Sequence, residues 1–120
     1  MFKVLKLILA LALIVPLFSV ASDKVLIIDV RTDQEWSNGH LASAIHIPLG
    51  EIQSKLESLS EHKDSEIYLY CGAGRRAEAA RTILSNAGFT NLTNAGGIKD
   101  ASKLLKSEII KVDLHRPLRR

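Results

Sequence analysis

The sequence predicts an α/β fold: a small, mainly parallel sheet with helices on both faces. Two observations carry that expectation. Short runs of β-branched and aliphatic residues alternate with stretches whose apolar residues recur at helical spacing, the order that builds strand–helix–strand units. The strand candidates are also continuously apolar rather than alternating, as strands covered on both faces are. A chain of 120 residues holds one such domain and no second.

The elements follow in order. Val25-Leu26-Ile27-Ile28 reads as the first strand. Thr32-Asp33-Gln34-Glu35 is a capping box that opens a short helix, and Gly39 can close it. Residues 44–47 form a second short strand, ended by Pro48. Ile52, Leu56 and Leu59 predict a helix over 49–59, and His62 to Ser65 a polar turn. Ile67-Tyr68-Leu69-Tyr70 is the strand best suited to the sheet centre. A helix over 76–87 carries Ala80, Ile83, Leu84 and Ala87 on one stripe, with Gly88 after it. Residues 89–93 read as another strand, Asn94-Ala95-Gly96-Gly97 as a loop, and 98–110 as a last helix.

Three parts are expected: an export segment over 1–21, one domain over 22–113 and a basic tail over 114–120. Lys3 and Lys6 precede an unbroken apolar run over 7–15, Pro16 breaks it, and Ser19-Val20-Ala21 supplies small residues for a cut after Ala21. That is the layout of a secretory signal peptide. It is too short for a spanning helix, which wants about 20 apolar residues. The segment holds no cysteine for a lipid anchor, so no stable membrane attachment is expected after cleavage. In a Gram-negative cell the mature protein would be periplasmic.

The formal charge of +3 falls to +1 once Lys3 and Lys6 are set aside. Four of the remaining basic residues, Lys111, Arg116, Arg119 and Arg120, crowd the last ten positions. A near-neutral domain argues against nucleic-acid binding, which needs a basic face. One cysteine excludes an internal disulfide and a Cys-x2-Cys metal site. His40 and His46 lack a third ligand at metal spacing, so no metal is expected.

That cysteine, Cys71, stands directly after the apolar strand, where α/β folds place ligands. Gly72-Ala73-Gly74-Arg75-Arg76 follow, and then a helix. Gly72 and Gly74 let the backbone turn and aim N–H groups inward. The helix start adds about half a positive charge, and Arg75 and Arg76 add two permanent cations. All three favour the thiolate. An ordinary thiol is only about 3% ionised at neutral pH, and lowering its pKa by about two units takes roughly 2.7 kcal/mol. A helix terminus supplies up to about 2 kcal/mol of that. The candidate site is therefore nucleophilic Cys71 within an anion cradle of Gly72, Ala73, Gly74, Arg75 and Arg76. Asp29 and Arg31, after the first strand, read as a structural network behind it. Trp36 reads as packing, Glu78 as surface, and Tyr70 as either core or pocket lining.

These residues resemble the rhodanese-type sulfurtransferases over nearly the whole mature region. The resemblance rests on Asp29-Val30-Arg31, Glu35-Trp36, Gly39-His40-Leu41 and Ala44-Ile45-His46-Ile47-Pro48. It continues through Tyr70-Cys71-Gly72-Ala73-Gly74-Arg75-Arg76 and Asn94-Ala95-Gly96-Gly97. Within the family the chain is most similar to periplasmic, single-domain thiosulfate sulfurtransferases of the phage-shock type. It departs from many relatives at Ile98, where an aromatic is common, and in its second loop arginine.

The resemblance implies a rhodanese-like three-layer fold and a two-step reaction. Cys71 takes the sulfane sulfur of thiosulfate as a persulfide, and a thiophilic acceptor, cyanide or a thiol, removes it. The implied partners are thus a small anionic sulfur donor and that acceptor, and the resemblance implies no cofactor. Related cysteine phosphatases place an arginine six residues after the cysteine. Here that position is Ala77 and Arg76 lies five on, a smaller cradle. A non-catalytic sulfane-sulfur carrier is the alternative. A thiol redox enzyme is disfavoured because no second cysteine can resolve a disulfide.

Overall fold

A computed structural model describes residues 24–111. The expected export segment and basic tail lie outside them. The run Val25-Leu26-Ile27-Ile28 becomes strand β1, Val25–Asp29, and Ile67-Tyr68-Leu69-Tyr70 becomes β4, Glu66–Cys71. Between them come helix α1, Asp33–Ser37, two-residue strands β2, His40–Leu41, and β3, Ile45–His46, and helix α2, Ile52–Lys55. After β4 follow α3, Arg75–Asn86, β5, Leu92–Gly97, α4, Ile98–Leu105, and β6, Ile109–Ile110. The main sheet has the order β3-β1-β4-β5 with every pair parallel. β2 and β6 form a separate antiparallel pair.

The side chains of β1 and β4 alternate between two cores, which explains their unbroken hydrophobicity. Leu26, Ile28, Ile67, Leu69 and Cys71 face α2 and α3, meeting Ile52, Ala77, Ala80 and Leu84. Ile27, Tyr68 and Tyr70 face the other way, toward Leu41 and the α4 residues Ile98, Ala101 and Leu105. Ile28, Ile67, Leu69 and Leu84 are fully buried, each worth roughly 1.5–3 kcal/mol relative to exposure. Helices therefore cover both faces of a parallel sheet, as the sequence predicts.

Local signals act as read at several places. The Thr32 hydroxyl accepts from the Glu35 N–H, and the Glu35 carboxylate accepts from the Thr32 N–H, closing the capping box of α1. Gly88 follows α3 with φ +97°.

Four expectations are corrected. The helix over 49–59 is a 3-10 turn, Leu49–Glu51, followed by one turn of α2. Ser54 and Ser58 hydroxyls donate to the Glu51 and Lys55 carbonyls, local bonds that compete with a continuing helix. The strand over 89–93 moves forward to β5, because Phe89 turns into the α3 core. Asn94-Ala95-Gly96-Gly97 is the end of that strand rather than a loop. The last helix stops at Leu105: Lys106 takes φ 51°, and the Ser102 hydroxyl donates to the Ser107 carbonyl. That turn frees Ile109–Ile110 to pair with His40–Leu41.

Candidate functional site

Parallel order puts Asp29, His46, Cys71 and Gly97 at one end of the sheet, the carboxyl end. Cys71 is the last residue of β4, and the chain must turn at once to start α3. Gly74 makes that turn at φ +92°, a left-handed conformation that costs a side-chain-bearing residue about 1–2 kcal/mol. Its N–H donates to Cys71 Sγ at 3.0 Å. The Glu78 N–H then donates to the Gly74 carbonyl at 3.0 Å as the first bond of α3.

Cys71 is almost fully buried. Burial pushes its thiol up, but the backbone N–H groups of Ala77, Ala73, Gly74 and Arg76 outweigh it and hold the thiol below its ordinary value. The sulfur thus lies beneath a ring of amides at a helix start, a setting for a nucleophile and for the negative charge it passes on. Alkylation by iodoacetamide is expected to gain rate with pH through a midpoint below that of an ordinary thiol. As pH falls through that midpoint the sulfur protonates, and both reactivity and the stability contributed by the thiolate are lost. A stopped-flow pH series checks this; a midpoint at or above that of a free thiol would show that the amides do not hold the charge.

The loop is clamped by β5. Asn94 Nδ2 donates to the Gly74 carbonyl at 2.9 Å, and the Gly96 N–H donates to Asn94 Oδ1 at 2.9 Å. The register between β4 and β5 shifts so that Leu69 pairs with Asn94 and Cys71 with Gly97. That bulge brings Gly97 against the loop: a Cβ there would lie 2.5 Å from the Gly72 carbonyl oxygen.

The two loop arginines differ. Arg75 is exposed at the first position of α3. Arg76 is half-buried and bound in bidentate fashion to Glu35, Nη1 to Oε1 at 2.6 Å and Nη2 to Oε2 at 3.0 Å. Those bonds, working against burial, hold its guanidinium above its ordinary value, with the charges of Glu35 and Cys71 adding. Arg76 in turn holds the Glu35 carboxyl down at about 2. In the sequence Glu35 shows as a capping-box residue and as part of the Glu35-Trp36 match, with no sign of a partner in the cysteine loop. Its spacing of 41 residues from Arg76 carries no local signal.

Asp29 and Arg31 stand behind the site. Asp29 Oδ1 accepts from the Arg31 N–H at 2.9 Å and Oδ2 from Nη2 at 2.7 Å, while Nη2 also donates to the Gly39 carbonyl at 2.6 Å. Burial pulls Arg31 down, and the Asp29 carboxylate more than offsets it. Arg31 lies over the Tyr70 ring, 5.7 Å from its centroid, and the Leu41 N–H donates to the Tyr70 hydroxyl at 3.0 Å. Tyr70 is fully buried, so it belongs to the core. Trp36 stacks on His40 at 3.4 Å and on His46 at 4.8 Å. Glu78 pairs with Arg81 and also accepts from Asn94.

Against known proteins, the family model "Rhodanese-like domain" matches residues 19–103. The thiosulfate sulfurtransferase PspE of Escherichia coli (strain K12) is 38% identical over 100 residues, 83% of this chain and 92% of that one. YrkF of Bacillus subtilis (strain 168), whose name suggests a sulfur carrier, is 39% identical over 75 residues; the match spans 62% of this chain and 40% of that protein. The solved structure of a rhodanese with anions from E. coli is similar at TM-score 0.65 and 34% identity, covering 73% of this chain and 99% of that one.

Proposed function

The chain belongs to the rhodanese-like domain family, and on that premise we propose that it is a thiosulfate sulfurtransferase working through a Cys71 persulfide. Sulfur transfer is the activity named for PspE, and sulfur carriage that named for YrkF. The observation that carries the choice of Cys71 is its sulfur under the loop amides, with the Gly74 N–H at 3.0 Å.

The chemistry follows from that placement. The Cys71 thiolate attacks the outer sulfur of thiosulfate. A new S–S bond forms, the old one breaks, and sulfite leaves with the electron pair. The persulfide keeps one negative charge on its terminal sulfur, which the N–H groups of Ala73, Gly74, Arg76 and Ala77 can hold. Cyanide or a thiolate then attacks that sulfur, departs as thiocyanate or a persulfide, and returns Cys71 as a thiolate. With the nucleophile already ionised, neither half needs a general base. Arg75 and Arg76 draw the anionic donor toward the loop, whose Gly72, Ala73 and Gly74 shape the cradle. Asp29 and Arg31 serve as its buried support. Residues 1–21 direct export, so in a Gram-negative cell the reaction takes place in the periplasm.

Intact mass after incubation with thiosulfate tests this. The wild type is expected to gain about 32 Da, one sulfur atom, lose it on adding cyanide, and show no gain as Cys71→Ser. No gain in the wild type sinks the persulfide. The similarity to YrkF favours one second reading, a carrier that loads sulfur once for a partner protein. Stoichiometric loading with negligible thiosulfate–cyanide turnover would select it. Arg75→Ala or Arg76→Ala is expected to raise the KM for thiosulfate more than that for an uncharged sulfur donor, read from steady-state rates. Equal effects on both donors would assign these side chains to folding.

A further inference from the structure

Glu35 places a full negative charge at the mouth of a site that is expected to take in anions. Its carboxylate reaches across from α1 to the Cys71 loop and occupies both outer nitrogens of Arg76. The pair lies over the loop itself: a Cβ on Gly72 would be 3.2 Å from Arg76 Nη2 and 3.8 Å from Glu35 Oε2. Both side chains keep 36% of their surface exposed, so the pair is open to the water from which a donor arrives. An incoming anion therefore meets a guanidinium whose charge is already balanced.

We propose that Glu35 is a specificity-determining residue, the counter-ion that limits how strongly the Cys71 loop favours a doubly charged sulfur donor over a singly charged one. This rests on the sulfur-transfer reading above and narrows its substrate class. With Glu35 in place, the loop amides and Arg75 supply most of the attraction for the donor, and the pull of Arg76 is weakened by its paired carboxylate. Singly charged sulfane-sulfur donors, such as thiosulfonates and small persulfides, are then accepted beside thiosulfate.

The same side chain offers a clean way to remove only the charge. Glu35 Oε1 also accepts from the Thr32 N–H at 3.3 Å and from the Thr32 hydroxyl at 3.1 Å, closing the capping box. Glutamine serves in that box as well as glutamate does. Glu35→Gln therefore keeps α1 capped and leaves Arg76 with a neutral partner.

The test is calorimetric binding in the Cys71→Ser background, where no sulfur is transferred. The ligands are thiosulfate, a dianion, and methanethiosulfonate, a monoanion that presents the same outer sulfur. Asp64→Asn controls for net charge, since Asp64 is exposed at the opposite, amino end of β4. Glu35→Gln is expected to tighten thiosulfate about ninefold and methanethiosulfonate about threefold, so the dianion preference rises about threefold. Asp64→Asn is expected to leave the preference unchanged. Full-length Glu35→Gln with Cys71 intact should show the same shift in the ratio of KM values. An unchanged preference, a shift matched by Asp64→Asn, or weaker binding of both ligands alike would overturn the counter-ion role and leave Glu35 as a strut for Arg76. The gain in mass reads the persulfide independently of any of these results.

Discussion

Asp29→Ala is expected to cost the protein about 3–5 kcal/mol of folding stability, enough to unfold many single domains. Asp29 has no exposed surface, and its partner Arg31 is 6% exposed. Together they make four hydrogen bonds between the end of β1 and the next turn. Removing the carboxylate leaves a buried guanidinium that retains only the Gly39 carbonyl. The cost is thus the stranded charge as much as the lost bonds. Two further variants separate the terms. Asp29→Asn keeps an acceptor and is expected to lose less. Asp29→Ala combined with Arg31→Leu buries no charge and is expected to recover part of the loss. Urea denaturation followed by circular dichroism measures all three. An Asp29→Ala protein within about 1 kcal/mol of the wild type would place this pair outside the framework of the fold.

Gly97→Ala is expected to strike activity harder than stability. The backbone of Gly97 has ordinary extended angles, φ −79° and ψ 167°, so conformation does not require glycine there. Space does. The added methyl would sit 2.5 Å from the Gly72 carbonyl oxygen and 3.3 Å from its carbon, and neither backbone atom can swing aside. The cysteine loop must move, at a cost of about 1–3 kcal/mol. A displacement near 1 Å in a reacting group costs about a hundredfold in rate, and the loop amides would be aimed away from the sulfur. Sulfur transfer should therefore fall about a hundredfold, with the thiol shifting back toward its ordinary range. Gly50→Ala is the control, because a Cβ there meets nothing within 4 Å. Full activity in Gly97→Ala would show that the contact between β5 and the loop relaxes freely.

Both results concern parts of the molecule that the sequence shows unequally. Cys71 is legible because its signals are adjacent: an apolar strand, then glycines, then a helix, all within a few residues. The capping box of α1 and the stop at Gly88 are legible for the same reason. Asn94-Ala95-Gly96-Gly97 misleads, since asparagine and glycine are the commonest turn formers. Here the glycines permit a close approach between β5 and the loop, and Asn94 spends both ends of its amide holding Gly74 and Gly96 in place. The pairing of β2 with β6 is equally silent in sequence, because it joins residues about seventy positions apart.

Glu35 marks the boundary between the two kinds of information. From the sequence alone it is a helix-capping residue, and it does cap α1. Across 41 residues it is also the partner of Arg76, and that second contact sets the charge at the mouth of the site. The linear chain determined β1 and β4, the starts of α1, α3 and α4, the place of Cys71 at a strand-to-helix turn and the family, because each depends on neighbours within a turn or two. The assembled sheet decided which arginine is neutralised, what clamps the cysteine loop and where glycine cannot be replaced. Those properties depend on distances between segments, which exist only once β1, β4 and β5 are hydrogen-bonded side by side.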